Sequence, residues 1–455
     1  MKTSFDSIYN RSPLWLQNVI ISIYGLKIYR QRYGKKYWEK RLEFENSDYS
    51  DFNRLQNDQL AKLKIFVNYA REYSPYYRKV LQDVDIESIR CIDQINKIPI
   101  LEKETFRSNI EDIYTIEEKD AISSYTGGTT GKAIKVIFTR DDLQTRMAYL
   151  DAFKSRLGVE PFKSKKATFS GRQFTKSSGK KIFWRTNWIY RQRLYSTFDL
   201  TVETMPHYIR NLNKFKPDII NGFVSAIFEL AKFIESQNIE LKFVPKAIFT
   251  TSETLLSFHR ELIERVFNAK VYNQYASAEG APFITECIEN NLHYNMDTGV
   301  IESYSTEFGD EILVTSFTTH GTPLIRYRIG DKVIFKEGKC PCGSVHPLVG
   351  AIEGRQVEYL LAKEGRKVSL SHLADVIKGL PNSIIKMQFI QDSLDKITVL
   401  IVPDKTKYDK KDEAMILTEM KFRFGEGTNI EIKYVEDILR EKSGKYALIK
   451  NLIKK

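Results

Sequence analysis

Apolar positions recur at helical spacing along the start of the chain: Trp15, Val19, Ile20, Ile23, Leu26 and Ile28, followed by a basic and aromatic stretch over 29–41. The spacing predicts helix through the first forty residues. One reading is an interfacial helix on an anionic membrane surface, with Trp and Tyr at headgroup level. The other is a helix packed on the main domain with its basic side in water. The apolar run over 14–28 is interrupted by Gln17, Asn18, Ser22, Gly25 and Lys27. It is too short and too polar for a bilayer span, and a secretory signal is not expected. The expected location is cytoplasmic, with peripheral contact at the inner face of the membrane under the first reading.

From 57 to 155 helical patterns alternate with short apolar segments. Farther on, 216–222 reads as a strand before a helix over 225–237, 246–250 as a strand before a helix from 255, and 270–275 as a strand. Strands alternating with helices imply α/β units around a mostly parallel sheet. Segments 310–317, 324–328 and 332–335 read as antiparallel, barrel-like β. Past Gly354 the texture changes: a helix over 371–378, a strand pair at 385–391 and 396–402, a charged helix over 410–424 and a strand over 430–435. The expected organisation is a large α/β domain, 1–354, opened by the basic segment 1–41, and a small mobile α+β domain, 355–455.

Length and composition agree: 455 residues, 42% hydrophobic and 28% charged, describe a globular chain with two domains. The net charge of +12 is concentrated, because residues 1–41 carry nine basic side chains against two acidic ones. The remainder is only mildly basic, which argues against a nucleic-acid partner. Four cysteines are too few for a disulfide framework.

The densest chemistry lies at Ser123-Ser124-Tyr125-Thr126-Gly127-Gly128-Thr129-Thr130-Gly131-Lys132. Glycines let a backbone approach an anion, while hydroxyls and a lysine supply donors, so the segment suits a polyphosphate. It is not a Walker loop. Three residues rather than four separate Gly127 from Gly131, and Ala133 follows the lysine.

This loop resembles the phosphate-binding signature of the adenylate-forming superfamily of acyl- and aryl-CoA ligases, and four further segments match in family order. Tyr275-Ala276-Ser277-Ala278-Glu279 resembles the segment whose aromatic ring stacks on adenine and whose glutamate helps hold Mg²⁺. Tyr327-Arg328-Ile329-Gly330-Asp331 is similar to the segment whose aspartate binds the ribose diol. Gly354-Arg355 matches the interdomain hinge, and Ser443-Gly444-Lys445 the C-terminal catalytic lysine. The resemblance implies ATP and AMP binding by Ser124, residues 126–131, Ser252, Glu253, Asn273, Gln274, Tyr275, Ala276, Asp331 and Arg355, with Lys132, Glu279 and Lys445 catalytic. Three departures stand out. Ala276 and Ser252 replace glycines common in the family, and Gln356-Val357-Glu358 replaces the aspartates that often follow the hinge arginine.

The resemblance is nearest to the phenylacetate-CoA ligase-like branch, which includes members encoded with capsule and surface-polysaccharide genes. The implied reaction is adenylation of a carboxylic acid with loss of pyrophosphate, then transfer to CoA, a carrier thiol or an amine. Gly171, Arg172, Gly222 and Ser225, lying between the matched motifs, are the expected pocket for the small-molecule acid. Two alternatives stay open: an adenylyltransferase that leaves AMP on a non-carboxylate substrate, and an inactive scaffold of the same fold.

Cys340-Pro341-Cys342 puts two thiols on one turn, and Cys287 with His293 completes a Cys₃His set of the kind that closes structural zinc sites. The pattern alone leaves zinc and unrelated buried thiols both open. The resemblance favours structural zinc, since some members of the branch hold one with such residues. His346 is the alternative ligand, and Cys91 stands outside the set.

Overall fold

The computed structural model describes residues 9, 12–125, 134–171, 174, 182–306, 309–353, 359–363, 366–369, 373, 376, 383–404, 406–441 and 444–453. The chain opens with helices α1 (Leu14–Arg32), α2 (Lys35–Asn46) and α3 (Phe52–Tyr73). A strand pair, β1 (Ile122–Tyr125) and β2 (Lys135–Phe138), precedes α4 (Arg140–Arg156). Helix α4 starts where Thr139 and Asp142 form a reciprocal capping box, each side chain accepting the other's backbone N–H.

Next come β3 (Lys166–Ser170), β4 (Trp184–Asn187), β5 (Gln192–Ser196), α5 (Met205–Phe215), β6 (Ile219–Phe223), α6 (Val224–Ser236), β7 (Ala247–Thr251), α7 (Ser257–Phe267) and β8 (Val271–Tyr275). Helices α5 and α7 end on Lys216 and Asn268, both left-handed, which stops each helix and sends the chain into the next strand. The β-rich stretch holds β9 (Ile284–Glu286), β10 (Leu292–Tyr294), β11 (Gly299–Thr306), β12 (Gly309–Ser316), β13 (Tyr327–Arg328), β14 (Lys332–Lys336) and β15 (Leu348–Glu353). The C-terminal part has β16 (Tyr359–Leu361), β17 (Lys367–Ser369), β18 (Ile384–Ser393), β19 (Lys396–Pro403), α8 (Lys410–Phe424), β20 (Asn429–Tyr434) and β21 (Ile449–Asn451).

These elements form two compact units. The first comprises residues 1–22, 164–271 and 354–455, and the second 23–163 and 272–353. In the first, β3 lies between β5 and β6, and β6 pairs with β7, all parallel, with β4 antiparallel at the edge beside β5. This is the expected α/β architecture. The strand β6 reads Ile-Ile-Asn-Gly-Phe and is buried except at the half-buried Asn221, a nearly continuous apolar run suited to a parallel sheet covered on both faces. Phe169, Tyr195 and Tyr208 anchor its core, and each such side chain contributes roughly 2 kcal/mol by leaving water. The same unit holds a four-stranded sheet, β20-β19-β18-β21, packed with α8 around Phe389, Ile401 and Met420.

In the second unit, β9 pairs antiparallel with β8 and β10, β10 with β15, and β15 with β14. Of the expected antiparallel segments, 310–317 and the end of 324–328 are β12 and β13 of the three-stranded sheet β11-β12-β13, whereas 332–335 is β14 and pairs with β15 instead. The expected helix over 371–378 falls largely outside the described residues.

Candidate active site and metal centre

Ligand sites in parallel sheets form outside the carboxyl ends of the strands, where loops are free to differ. In the first unit five of the expected site residues collect at those ends. Gly171 follows β3, Gly222 and Ser225 flank the end of β6, and Ser252 and Glu253 follow β7. Ser252 has φ +69, a left-handed conformation that glycine adopts freely and other residues adopt at a cost of about 1 kcal/mol. That backbone requirement explains why a glycine is common at this position in the resembling family.

The segment carrying Lys445 joins this set. Gly444, at φ +81, lets the chain press close to β3 and β5: a Cβ there would stand 2.3 Å from Gly171 Cα and 3.0 Å from Thr197 Oγ1. The Thr197 hydroxyl donates to Gly444 O at 3.1 Å, and Tyr446 N donates to Glu253 Oε1 at 3.2 Å. Glu253 also accepts from Ser225 N at 2.7 Å and Ser225 Oγ at 3.1 Å. Burial pushes its carboxyl above the ordinary range, and the Ser225 and Tyr446 N–H donors with the Arg440 charge act in the opposite direction. Glu253 therefore sits between the β7 loop and the residue after Lys445, where it fixes the lysine-bearing backbone.

A second layer holds that arrangement. Arg440 Nη1 donates to Ser225 Oγ at 3.1 Å, and Nη2 pairs with Glu229 Oε1 at 2.8 Å. Lys386 Nζ lies 3.4 Å from Glu229 Oε2 and 2.7 Å from Asp437 Oδ1. Sequence reasoning missed Thr197, Glu229, Lys386 and Arg440. The one available signal was Glu229 and Lys232 on an otherwise apolar helix.

In the second unit Tyr275 and Asp331, 56 residues apart, meet directly: the Tyr275 hydroxyl donates to Asp331 Oδ2 at 2.6 Å. The Ser277 hydroxyl accepts from Gly280 N and Ala281 N, both at 3.1 Å, which closes a tight turn around Glu279. Gly280, at φ +102, is needed there, since a Cβ would come within 2.5 Å of Thr319 Cγ2. Glu279 is 1% exposed. Ala276 is exposed in the same loop. Asn273 N donates to Glu286 Oε2 at 2.8 Å. The buried Gln274 Oε1 has no hydrogen-bond partner among the described residues. Ser124 lies on β1, paired with Val136 of β2, and Tyr125 opposes Lys135 at the mouth of the glycine-rich segment. Residues 126–132, Arg172 and Arg355 lie outside the described residues.

Also in the second unit, the expected Cys₃His set comes together. Ligand atoms of Cys287, His293, Cys340 and Cys342 all lie within 4.8 Å of one another. Cys287 Sγ stands 3.6 Å from Cys340 Sγ, and Cys342 Sγ 3.5 Å from His293 Nε2. A tetrahedral zinc with Zn–S of about 2.3 Å needs edges of about 3.8 Å, so the set fits. His293 Nδ1 contacts His346 O at 2.9 Å; a proton on Nδ1 donates there and leaves the Nε2 lone pair facing the thiols. Asn291 Nδ2 donates to Cys340 Sγ at 3.3 Å, the kind of bond that supports a thiolate. Burial, followed by the neighbouring thiols, pushes Cys342 up to about 12, so a bound cation is what would let the group ionise. His346 stays outside the set, contacting Asn295 Nδ2 at 3.1 Å and Tyr49 by its ring. Tyr275 pairs with Ile284, and Cys287 lies three residues beyond it, about 10 Å along the strand. That offset suits a structural metal better than a reacting one.

Comparison with known proteins decides the family. The chain is 36% identical to the protein CapK of Staphylococcus aureus over 459 aligned positions, covering 98% of this chain and 99% of the relative. It belongs to the CapK family. Residues 360–452 match the CapK C-terminal domain. Phenylacetate-coenzyme A ligase of Thermus thermophilus is 22% identical over 363 residues, covering 74% of this chain and 78% of that one. A 2-hydroxyisobutyryl-CoA ligase crystallised in the postadenylation state with an acyl-AMP shares the fold at TM-score 0.72 and 14% identity, covering 89% of this chain and 91% of that one. This CapK-like chain is thus a member of the adenylate-forming superfamily, with the mixed α/β fold and small C-terminal domain that the sequence motifs imply.

Proposed function

We propose that this CapK-family chain is an AMP-forming ligase, which adenylates a carboxylic acid with ATP, releases pyrophosphate and passes the acyl group to a thiol such as CoA. The observation that carries the proposal is the seating of the Lys445 segment on the Glu253, Ser225 and Thr197 loops, at the carboxyl ends of the parallel strands. In-line attack on the α-phosphate brings two anions together, so the chemistry demands a positioned cation. Lys445 would supply it as a point charge.

The buried Glu279 would hold Mg²⁺, Tyr275 would stack on adenine, and Asp331 would accept from the ribose diol. Gln274 Oε1 offers an acceptor to the adenine amino group. Lys132, Ser124 and the hydroxyls of 126–130 would bind the β- and γ-phosphates, and Arg355 the ribose or phosphate. Gly171, Arg172, Gly222 and Ser225 would line the acid pocket. The Cys₃His set would hold structural Zn²⁺ by Cys287, His293, Cys340 and Cys342. We place the reaction in the cytoplasm, at the inner face of the membrane, in surface-polysaccharide biosynthesis, with a carrier thiol or amine as the other acceptors to test.

ATP–pyrophosphate exchange across aryl, fatty, hydroxy and amino acids tests the reading. Exchange dependent on one acid class is expected, with Lys445→Ala lowering it by about 10²-fold or more. No exchange with any acid, together with AMP left on a non-carboxylate substrate, would instead establish adenylyl transfer.

A further inference from the structure

Helix α1 turns three polar side chains, Gln17, Asn18 and Ser22, toward the edge of the first unit's parallel sheet. Asn18 Oδ1 accepts from Thr186 N at 2.9 Å, and Ser22 Oγ accepts from Trp188 N at 3.1 Å, covering one N–H group on the edge strand β4 and one just past its end. Gln17 Oε1 accepts from the buried Arg185 Nε at 2.6 Å. Gln17 and Ser22 are buried, and so is Gly25 on the same side.

The outward face mixes large apolar side chains with basic ones. Trp15 is 65% exposed, Ile23 65%, Tyr24 53% and Leu26 37%, with Lys27 and Arg30 exposed among them. Rolling the helix to hide these side chains would break the three bonds that attach it. The exposure is therefore built in, and large apolar side chains held in water among basic ones mark an interaction surface.

The charge pattern selects the occupant. From Ser7 to Trp38 there are six basic residues and no acidic one. No helix among the described residues is long and apolar enough to cross a membrane. We propose that the outward face of α1 lies in the headgroup region of an anionic lipid bilayer, with Trp15 and Tyr24 at the interface, Ile23 and Leu26 below it, and Lys27 and Arg30 against lipid phosphates. A second copy of the chain fits worse, because a two-fold contact would bring two such basic faces together. The assignment does not depend on the ligase reading.

The test uses the purified full chain with extruded vesicles of phosphatidylcholine alone or mixed with phosphatidylglycerol, read by flotation and by size-exclusion light scattering without lipid. The expected result is binding to the anionic vesicles only, weakening as salt rises. Ile23→Glu with Leu26→Glu, and separately Lys27→Glu with Arg30→Glu, should each reduce partitioning by about tenfold or more at an unchanged melting temperature, since these side chains face water. Equal binding to neutral vesicles, no binding to anionic vesicles at low salt, or variants that float as the wild type does would each overturn the proposal. A dimer that dissociates in the Ile23→Glu, Leu26→Glu variant would assign the face to a second copy and overturn it equally. Exchange activity without vesicles is read in parallel, so loss of lipid binding is distinguishable from failure of the proposed reaction.

Discussion

The Tyr275 hydroxyl donates to Asp331 Oδ2 at 2.6 Å, joining the residue proposed to stack on adenine to the one proposed to hold the ribose. The bond orients the ring beside the carboxylate. Asp331→Ala should raise the ATP KM in pyrophosphate exchange by roughly 10-fold to 100-fold, the value of a charge-assisted hydrogen bond. Tyr275→Phe keeps the aromatic face and should raise it only a few-fold. Equal effects from the two substitutions would count against this division of roles.

Arg440 and Glu229 pair with side chains only 4% and 5% exposed, and Lys386 completes the cluster around the same carboxylate. Removing one partner from such a buried group costs about 3–5 kcal/mol, because the remaining charges are stranded. Glu229→Gln should therefore loosen the Lys445 segment, seen as faster amide hydrogen exchange over 438–446, and slow adenylation while leaving ATP affinity near wild type. Unchanged exchange in that segment would show that the cluster does not hold it.

Lys232 Nζ donates to Ile384 O, and burial lowers this lysine to about 8 from 10.5. Below 8 both folded and unfolded chains carry the proton and the cost of burying it is paid in full. Between 8 and 10.5 only the unfolded chain keeps it, so stability rises with pH across that window, by up to about 3 kcal/mol. Lys232→Met should flatten the rise in melting temperature between pH 7.5 and 9.5 relative to wild type. Parallel pH profiles would exclude a buried, proton-releasing Lys232.

Metal analysis of chain purified without chelators should find close to one zinc, and Cys340→Ser should lose it and melt several degrees lower. Binding to an apo protein should also release protons as the thiols ionise. Less than about half an equivalent of any transition metal would argue for plain buried thiols.

Most of the architecture was legible because it rests on local pattern. The alternation over 216–275 gave β6, α6, β7 and β8 nearly to the residue, and the charged helix over 410–424 is α8. Strands β4 and β21 were not foreseen: four and three residues are too short to show a period, and β21 is specified by pairing with β18 some 60 residues away. The site divides the same way. Cys340 and Cys342 announce themselves by spacing, and Tyr275 and Asp331 by resemblance. Arg440, Lys386 and Thr197 act through contacts between distant segments and carry no local signature, and only the charge of Glu229 on a mostly apolar helix hinted at the cluster. The apolar spacing in α1 was visible, but the inward turn of its polar side chains was not, because only the placement of β4 explains why Asn18 and Ser22 face inward.

The most direct measurement follows the label from α-³²P-ATP through a single turnover with an acid that supports exchange. Adenylation followed by acyl transfer requires label in an acyl-AMP, then in AMP once CoA is added, with one pyrophosphate per acid consumed and almost no acyl-AMP formed by Lys445→Ala. Label recovered in ADP with release of inorganic phosphate, or turnover unaffected by loss of Lys445, would contradict it.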